Sequence, residues 1–132
     1  MSDIEFHHFG LAVREFSEAL RFHQNLGYRC SDPLVDPMQD VELIMCVSDR
    51  YPAVELIRPT SDNSPVVGYL KKGDATFYHL CYEVDDADSI GMLFPDNRAI
   101  CVSKPKPAIL FDNRLVSFYL VRGVGLIEVL QR

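Results

Sequence analysis

Four residues in this chain have the types and spacing to do chemistry together. His79 lies in the middle of TFYHLCYEV, Thr76–Val84, an apolar strand-like run. Near the start, Glu5–Val13 reads EFHHFGLAV, and with His8 set over His79 a valine follows five residues later in both, Val13 and Val84. The offset between the two histidines is 71 residues. Glu55, in AVELI, follows His8 by 47 residues, and Glu128, in LIEVL, follows His79 by 49. A carboxylate in the middle of an apolar strand costs several kcal/mol if it is buried alone, so each glutamate needs an arginine, a lysine or a cation. One histidine and one glutamate at matched places in each half is the mark of an internal repeat. We read His8, Glu55, His79 and Glu128 as converging on one metal ion. Two imidazoles and two carboxylates form a mixed nitrogen and oxygen set suited to Ni, Co, Fe, Mn or Zn, and six-coordinate geometry leaves two positions for water or a substrate oxygen.

A lone strand histidine is more often a core or surface residue than a ligand, and either glutamate taken singly reads as a strand residue facing solvent or an ion pair. The repeated offset is what separates these four. His7 and His23 have no counterpart in the other half and read as structural, and Glu42 and Glu83 read as solvent-facing strand residues.

The elements that must position the four follow from period and punctuation. Phe6–Val13 alternates Phe6, His8, Gly10 and Ala12 on one face with His7, Phe9, Leu11 and Val13 on the other, which leaves room around His8 and an apolar face to pack under a helix. That helix is expected in Arg14–Asn25, where Phe16, Ala19, Leu20, Phe22 and His23 recur at helical spacing before Gly27. Strands are expected at Tyr28–Asp32, Asp40–Val47 and Pro52–Arg58, with Pro33 to Pro37 a turn or loop. Polar Thr60–Ser64 separates the halves, and Ser64–Pro65 starts a short helix, Val66–Lys72. The second half repeats the plan: strand Thr76–Val84, a shorter helix from Asp85 or Asp86 to Phe94, then Ile100–Lys104, a turn at Pro105–Pro107, Leu115–Val121, a Gly123/Gly125 hairpin and Leu126–Gln131. The expectation is an α+β chain of two βαβββ modules, 5–59 and 76–132, joined by a linker over 60–75 into one domain, 1–132.

Composition bounds the partners. The chain is 48% hydrophobic and 24% charged, as in soluble globular proteins. No apolar run reaches the roughly 20 residues that span a bilayer, and MSDIEFHH lacks the blocks of a signal peptide, so the expectation is a cytoplasmic protein. A net charge of −6 argues against nucleic acid. Lys71–Lys72 and Lys104/Lys106 are local basic exceptions that read first as solvated turn lysines and second as contacts for an anionic substrate. Cys30, Cys46, Cys81 and Cys101 form no CxxC pair and read as buried small hydrophobes.

HFGLAV with the following NLGY, VELIRP, SPVVGYLKKGDATFYHLCYEVDD, SKPKP and NRLVSFYLVRGVGLIEVLQR, in that order, resemble the vicinal oxygen chelate superfamily over nearly the whole chain. That superfamily takes in glyoxalase I, extradiol dioxygenases and antibiotic-resistance proteins, and the nearest branch is methylmalonyl-CoA epimerase. The resemblance implies paired βαβββ units forming a curled mixed sheet around a metal, with His8, Glu55, His79 and Glu128 as ligands, and a homodimer. It also implies a second catalytic carboxylate on the third strand. Leu43 stands at that place, and Glu42, one residue away, points to the opposite face unless a bulge restores the register.

The expected reaction is proton abstraction next to a carbonyl or thioester, with Glu128 as general base and Glu55 as ligand and candidate reciprocal base. The expected substrate is a small molecule, an acyl-CoA or related acyl thioester. Glyoxalase-type lyase or isomerase chemistry is the second enzyme reading, and a non-catalytic antibiotic-binding protein is the reading from another class. An extradiol dioxygenase needs two histidines and one glutamate, so the extra Glu55 counts against it.

Overall fold

The computed structural model describes residues 4–96 and 98–132. The chain divides into two compact units, one of His8–Tyr78 and one of His79–Arg132 together with the residues up to His7. Most of β1 (Glu5–Val13) thus belongs to the first unit, and its opening residues to the second.

In the first unit β1 runs parallel to β5 (Val54–Pro59), with Gly10 opposite Glu55 and Ala12 opposite Ile57. β4 (Val41–Val47) is antiparallel to β5, and both β2 (Arg29–Cys30) and β3 (Leu34–Asp36) pair with β4. The strand order is β2-β4-β5-β1. α1 (Phe16–Asn25) ends at Gly27, whose φ of +93° suits the residue past a last turn, and its amide donates to Gln24 O at 3.0 Å. α1 covers the apolar face read from the sequence: Val13, Phe16, Tyr28, Ile44, Cys46 and Leu56 form one buried cluster, with Leu11, Ala19 and Leu20 against it. Each large apolar side chain fully buried here stabilises the unit by about 1.5–3 kcal/mol.

β6 (Ala75–Val84) begins in the first unit and enters the second at His79; in the second unit it is parallel to β9 (Gly125–Gln131), β8 (Arg114–Val121) is antiparallel to β9, and β7 (Ala99–Ala108) lies at the edge on β8. Both faces of this sheet are packed. One carries Cys81, Ala108, Val116, Phe118 and Leu130, and the other Val84, Ile127 and Val129.

The structure departs from the sequence reading in six places. The Pro33–Pro37 loop contains β3, a three-residue strand held by its pairing with Leu43, Glu42 and Val41. Both short helices are 3₁₀ turns, Val67–Leu70 and Ala87–Met92, since such brief segments holding Gly68 or Gly91 do not sustain an α-helix. Asp86 caps the second turn as expected, accepting from the Ser89 amide at 3.0 Å. The turn at Pro105–Pro107 is instead part of β7, which an edge strand tolerates because one side needs no amide donor, and its register shifts twice, between Cys101 and Ser103 and between Ser103 and Lys106. Cys101 on that edge is exposed rather than buried, and Cys30 is half-buried. Among the described residues no helix is long and apolar enough to cross a membrane.

Candidate functional site

The four residues singled out by spacing fall into two pairs, one in each unit. His8 Nε2 lies 3.4 Å from Glu55 Oε1, and His79 Nε2 lies 3.1 Å from Glu128 Oε1. All four are buried, at 0%, 3%, 4% and 2% exposure. The two pairs are built the same way. A histidine on the first strand of the unit is followed two residues later by a residue, Gly10 or Cys81, that stands directly opposite the glutamate of a parallel neighbour. Since side chains two apart share a face, histidine and glutamate meet diagonally across the pair of strands. Gly10 brings no side chain to that face.

The chemistry of these donors fits a divalent cation. Each buried carboxylate has an imidazole nitrogen within 3.5 Å, so each pair offers one nitrogen and one oxygen donor side by side. Imidazole nitrogen and carboxylate oxygen are the donors that a divalent first-row transition metal takes. Phe118, which the sequence reading did not single out, supports the second pair: its ring meets His79 edge-on, centroids 5.5 Å apart, and it stands opposite Glu128. Only the β8–β9 register identifies it.

The remaining candidates have other neighbours. His23 is buried, with Nδ1 2.7 Å from Ala19 O and its ring against Tyr28. His7 packs edge-on against Phe111. Glu42 and Glu83 are not simply solvated, as expected, but held in ion pairs. Glu42 binds Arg58, whose guanidinium lies 4.7 Å over the Phe16 ring, and Glu83 binds Arg114 and Arg132. Burial pushes the Glu83 carboxyl up, but Arg114, with His7 and Arg132, outweighs it and holds the group below the usual carboxylate range.

The pairing of β4 with β5 decides the question of Glu42. Its register runs without a shift from Val41 opposite Pro59 to Cys46 opposite Val54. Leu43, opposite Ile57, and Met45, opposite Glu55, therefore share the face of Glu55, while Glu42 sits opposite Arg58 on the other. No bulge turns Glu42 toward Glu55.

Two curated relatives match part of the chain. The bovine (Bos taurus) mitochondrial methylmalonyl-CoA epimerase is 33% identical over 81 residues, 60% of this chain and 46% of the relative. The ethylmalonyl-CoA/methylmalonyl-CoA epimerase of Cereibacter sphaeroides is 32% identical over 81 residues, 60% of each chain. The matched stretch thus spans about half the length of these relatives. Among solved structures, the methylmalonyl-CoA epimerase of Mycobacterium tuberculosis superposes with a TM-score of 0.80 at 19% identity, covering 96% of this chain and 86% of that one, a likeness of fold. Residues 7–118 match the family described as the Glyoxalase/Bleomycin resistance protein/Dioxygenase superfamily, and with a mixed-sheet fold of the same kind the chain belongs to that superfamily.

Proposed function

We propose that this chain is a divalent-metal-dependent enzyme that removes a proton from the carbon next to a carbonyl or thioester, with an acyl-CoA as substrate, and that His8, Glu55, His79 and Glu128 are the ligands of a single ion. The observation that carries this reading is the duplicated, fully buried histidine–glutamate pair. The names of the curated relatives, epimerases of methylmalonyl-CoA or ethylmalonyl-CoA, supply the substrate class.

His8, Glu55, His79 and Glu128 would hold the divalent ion, which when bound would supply Lewis-acid stabilisation of negative charge, a contribution worth several kcal/mol. The proton itself is the task of Glu128. Its carboxylate is oriented by His79 at 3.1 Å, and burial at 2% keeps bulk water from competing for the proton. Phe118 fixes the His79 ring from the side and so fixes the pair. Glu55, held by His8, serves as ligand and as reciprocal base if it detaches.

Leu43 bears on the outcome of the reaction. Val41, Leu43 and Met45, the β4 residues on the face of Glu55, offer no group that accepts or donates a proton. Glu128 returns the proton to the side it left, and inversion is left to Glu55 once detached, which favours exchange with retention over epimerisation. The same observation supports the second reading, a glyoxalase-type isomerase or lyase, in which one base serves two adjacent carbons.

The test is incubation of metal-loaded protein with methylmalonyl-CoA in deuterium oxide. Deuterium should enter the α-carbon faster than the configuration inverts, and Glu128→Gln should slow its entry by about 10²–10⁴-fold, with metal content measured in parallel. Metal binding without deuterium entry would show that the α-proton chemistry is wrong.

A further inference from the structure

Beside the 3₁₀ turn Val67–Leu70 is a pocket of about 330 Å³ in the first unit, inside the range of roughly 300–1,000 Å³ that holds small molecules. Lys71, Lys72, Tyr69 and Thr76 line it, and none of its lining residues is acidic. Among the described residues no carboxylate pairs with Lys71 or Lys72, although the chain as a whole is acidic, with a net charge of −6. Two neighbouring, unneutralised ammonium groups at a concavity favour an anion.

The pocket is held in shape from a distance. Arg14, at the end of β1, donates from Nε to Gly73 O at 3.2 Å and from Nη2 to Leu70 O, and its backbone amide donates to Asp74 O at 3.0 Å. These bonds bracket the two lysines on both sides, so the loop is braced where they leave it. Tyr69 meets Tyr78 edge-on, centroids 4.9 Å apart, and keeps 43% of its surface open. A supported, half-open aromatic ring next to two cations suits a nucleotide, whose base stacks while its phosphates meet the charge.

We infer that this pocket receives the nucleotide end of an acyl-CoA substrate, its phosphates on Lys71 and Lys72 and its adenine against Tyr69. This rests on the acyl-CoA reading above and adds to it the place where the non-reacting end is held.

Equilibrium binding of adenosine 3′,5′-bisphosphate, with adenosine as the uncharged control, tests it in the intact protein. The bisphosphate should bind more tightly than adenosine and weaken as salt rises. Lys71→Ser or Lys72→Ser should each weaken it about two- to fivefold, as expected for exposed charges, and the Lys71→Glu/Lys72→Glu variant more than tenfold. Lys104→Glu/Lys106→Glu, which reverses the other basic pair, should leave binding unchanged. In the exchange reaction, the Lys71→Glu/Lys72→Glu variant should raise KM for the CoA thioester while leaving turnover of the matching pantetheine thioester, which lacks the nucleotide, as in the wild type. Absent binding of the bisphosphate, or equal binding by the wild type and the doubly reversed variant, overturns the inference. Deuterium exchange that survives with unchanged KM for the CoA thioester in that variant also overturns it, while sparing the reaction. Lysine-dependent bisphosphate binding in a protein that exchanges no α-hydrogen sustains the pocket and rejects the reaction.

Discussion

If the two buried histidine–glutamate pairs hold one ion, metal binding must appear as folding stability, because an unfolded chain does not assemble four donors separated by up to 120 residues. At an ion concentration 100-fold above its dissociation constant, a ligand that binds only the folded state adds about 2.7 kcal/mol. Unfolding entropy near the transition is about 2.1 cal/mol/K per residue, or about 0.28 kcal/mol/K for 132 residues. Chelator-stripped protein should therefore gain about 10 °C in Tm when the ion is restored. Glu55→Gln keeps the shape at a site 3% exposed but replaces a carboxylate ligand with a weakly coordinating neutral amide. If affinity falls a hundredfold, the gain at the same ion concentration shrinks to about 0.4 kcal/mol, or about 1.5 °C. The chain has no tryptophan, so scanning calorimetry or far-ultraviolet circular dichroism is the assay. An unchanged Tm with Mn, Co, Ni, Zn and Fe(II), or a gain in Glu55→Gln equal to that of the wild type, would refute the reasoning.

Two predictions concern the scaffold. The Glu83 carboxyl is held below its ordinary range in the folded protein, so its contribution is present above about pH 4.3 and lost as pH falls through the folded value. Glu83→Gln should be less stable at pH 7, with Arg114 and Arg132 deprived of their acid, and its stability should fall less steeply on acidification, as read from denaturant midpoints between pH 3 and 7. Leu56→Ala, at a fully buried position in the cluster under α1, should cost about 2–5 kcal/mol by urea unfolding, whereas a cost under about 1 kcal/mol would mean that this core closes around the gap.

Much of this fold is legible in the sequence because its evidence is local. The period of two in Phe6–Val13 assigned His8 to one face and Val13 to the other, and both assignments hold: His8 meets Glu55, and Val13 lies in the cluster that α1 covers. Gly27 marked the end of α1 for the same kind of reason, a backbone conformation that glycine adopts without steric cost. Less legible were the elements whose state depends on neighbours. β3 exists because β4 offers it a partner, and β7 runs through Pro105 and Pro107 because it lies at a sheet edge. Neither fact is written in the residues of the strand itself.

The sequence by itself determined which residues are the chemical candidates, because duplication repeats an imidazole and a carboxylate at nearly the same offset and strand alternation orients each of them. Only the tertiary structure decided that Glu42 turns away to Arg58 while Leu43 faces the side of Glu55, and that Lys71 and Lys72 flank a braced pocket. The physical reason is register. Which residue stands opposite which is set by hydrogen bonds between strands that meet only on folding, and a one-residue slip, invisible in the local pattern, would exchange the two faces.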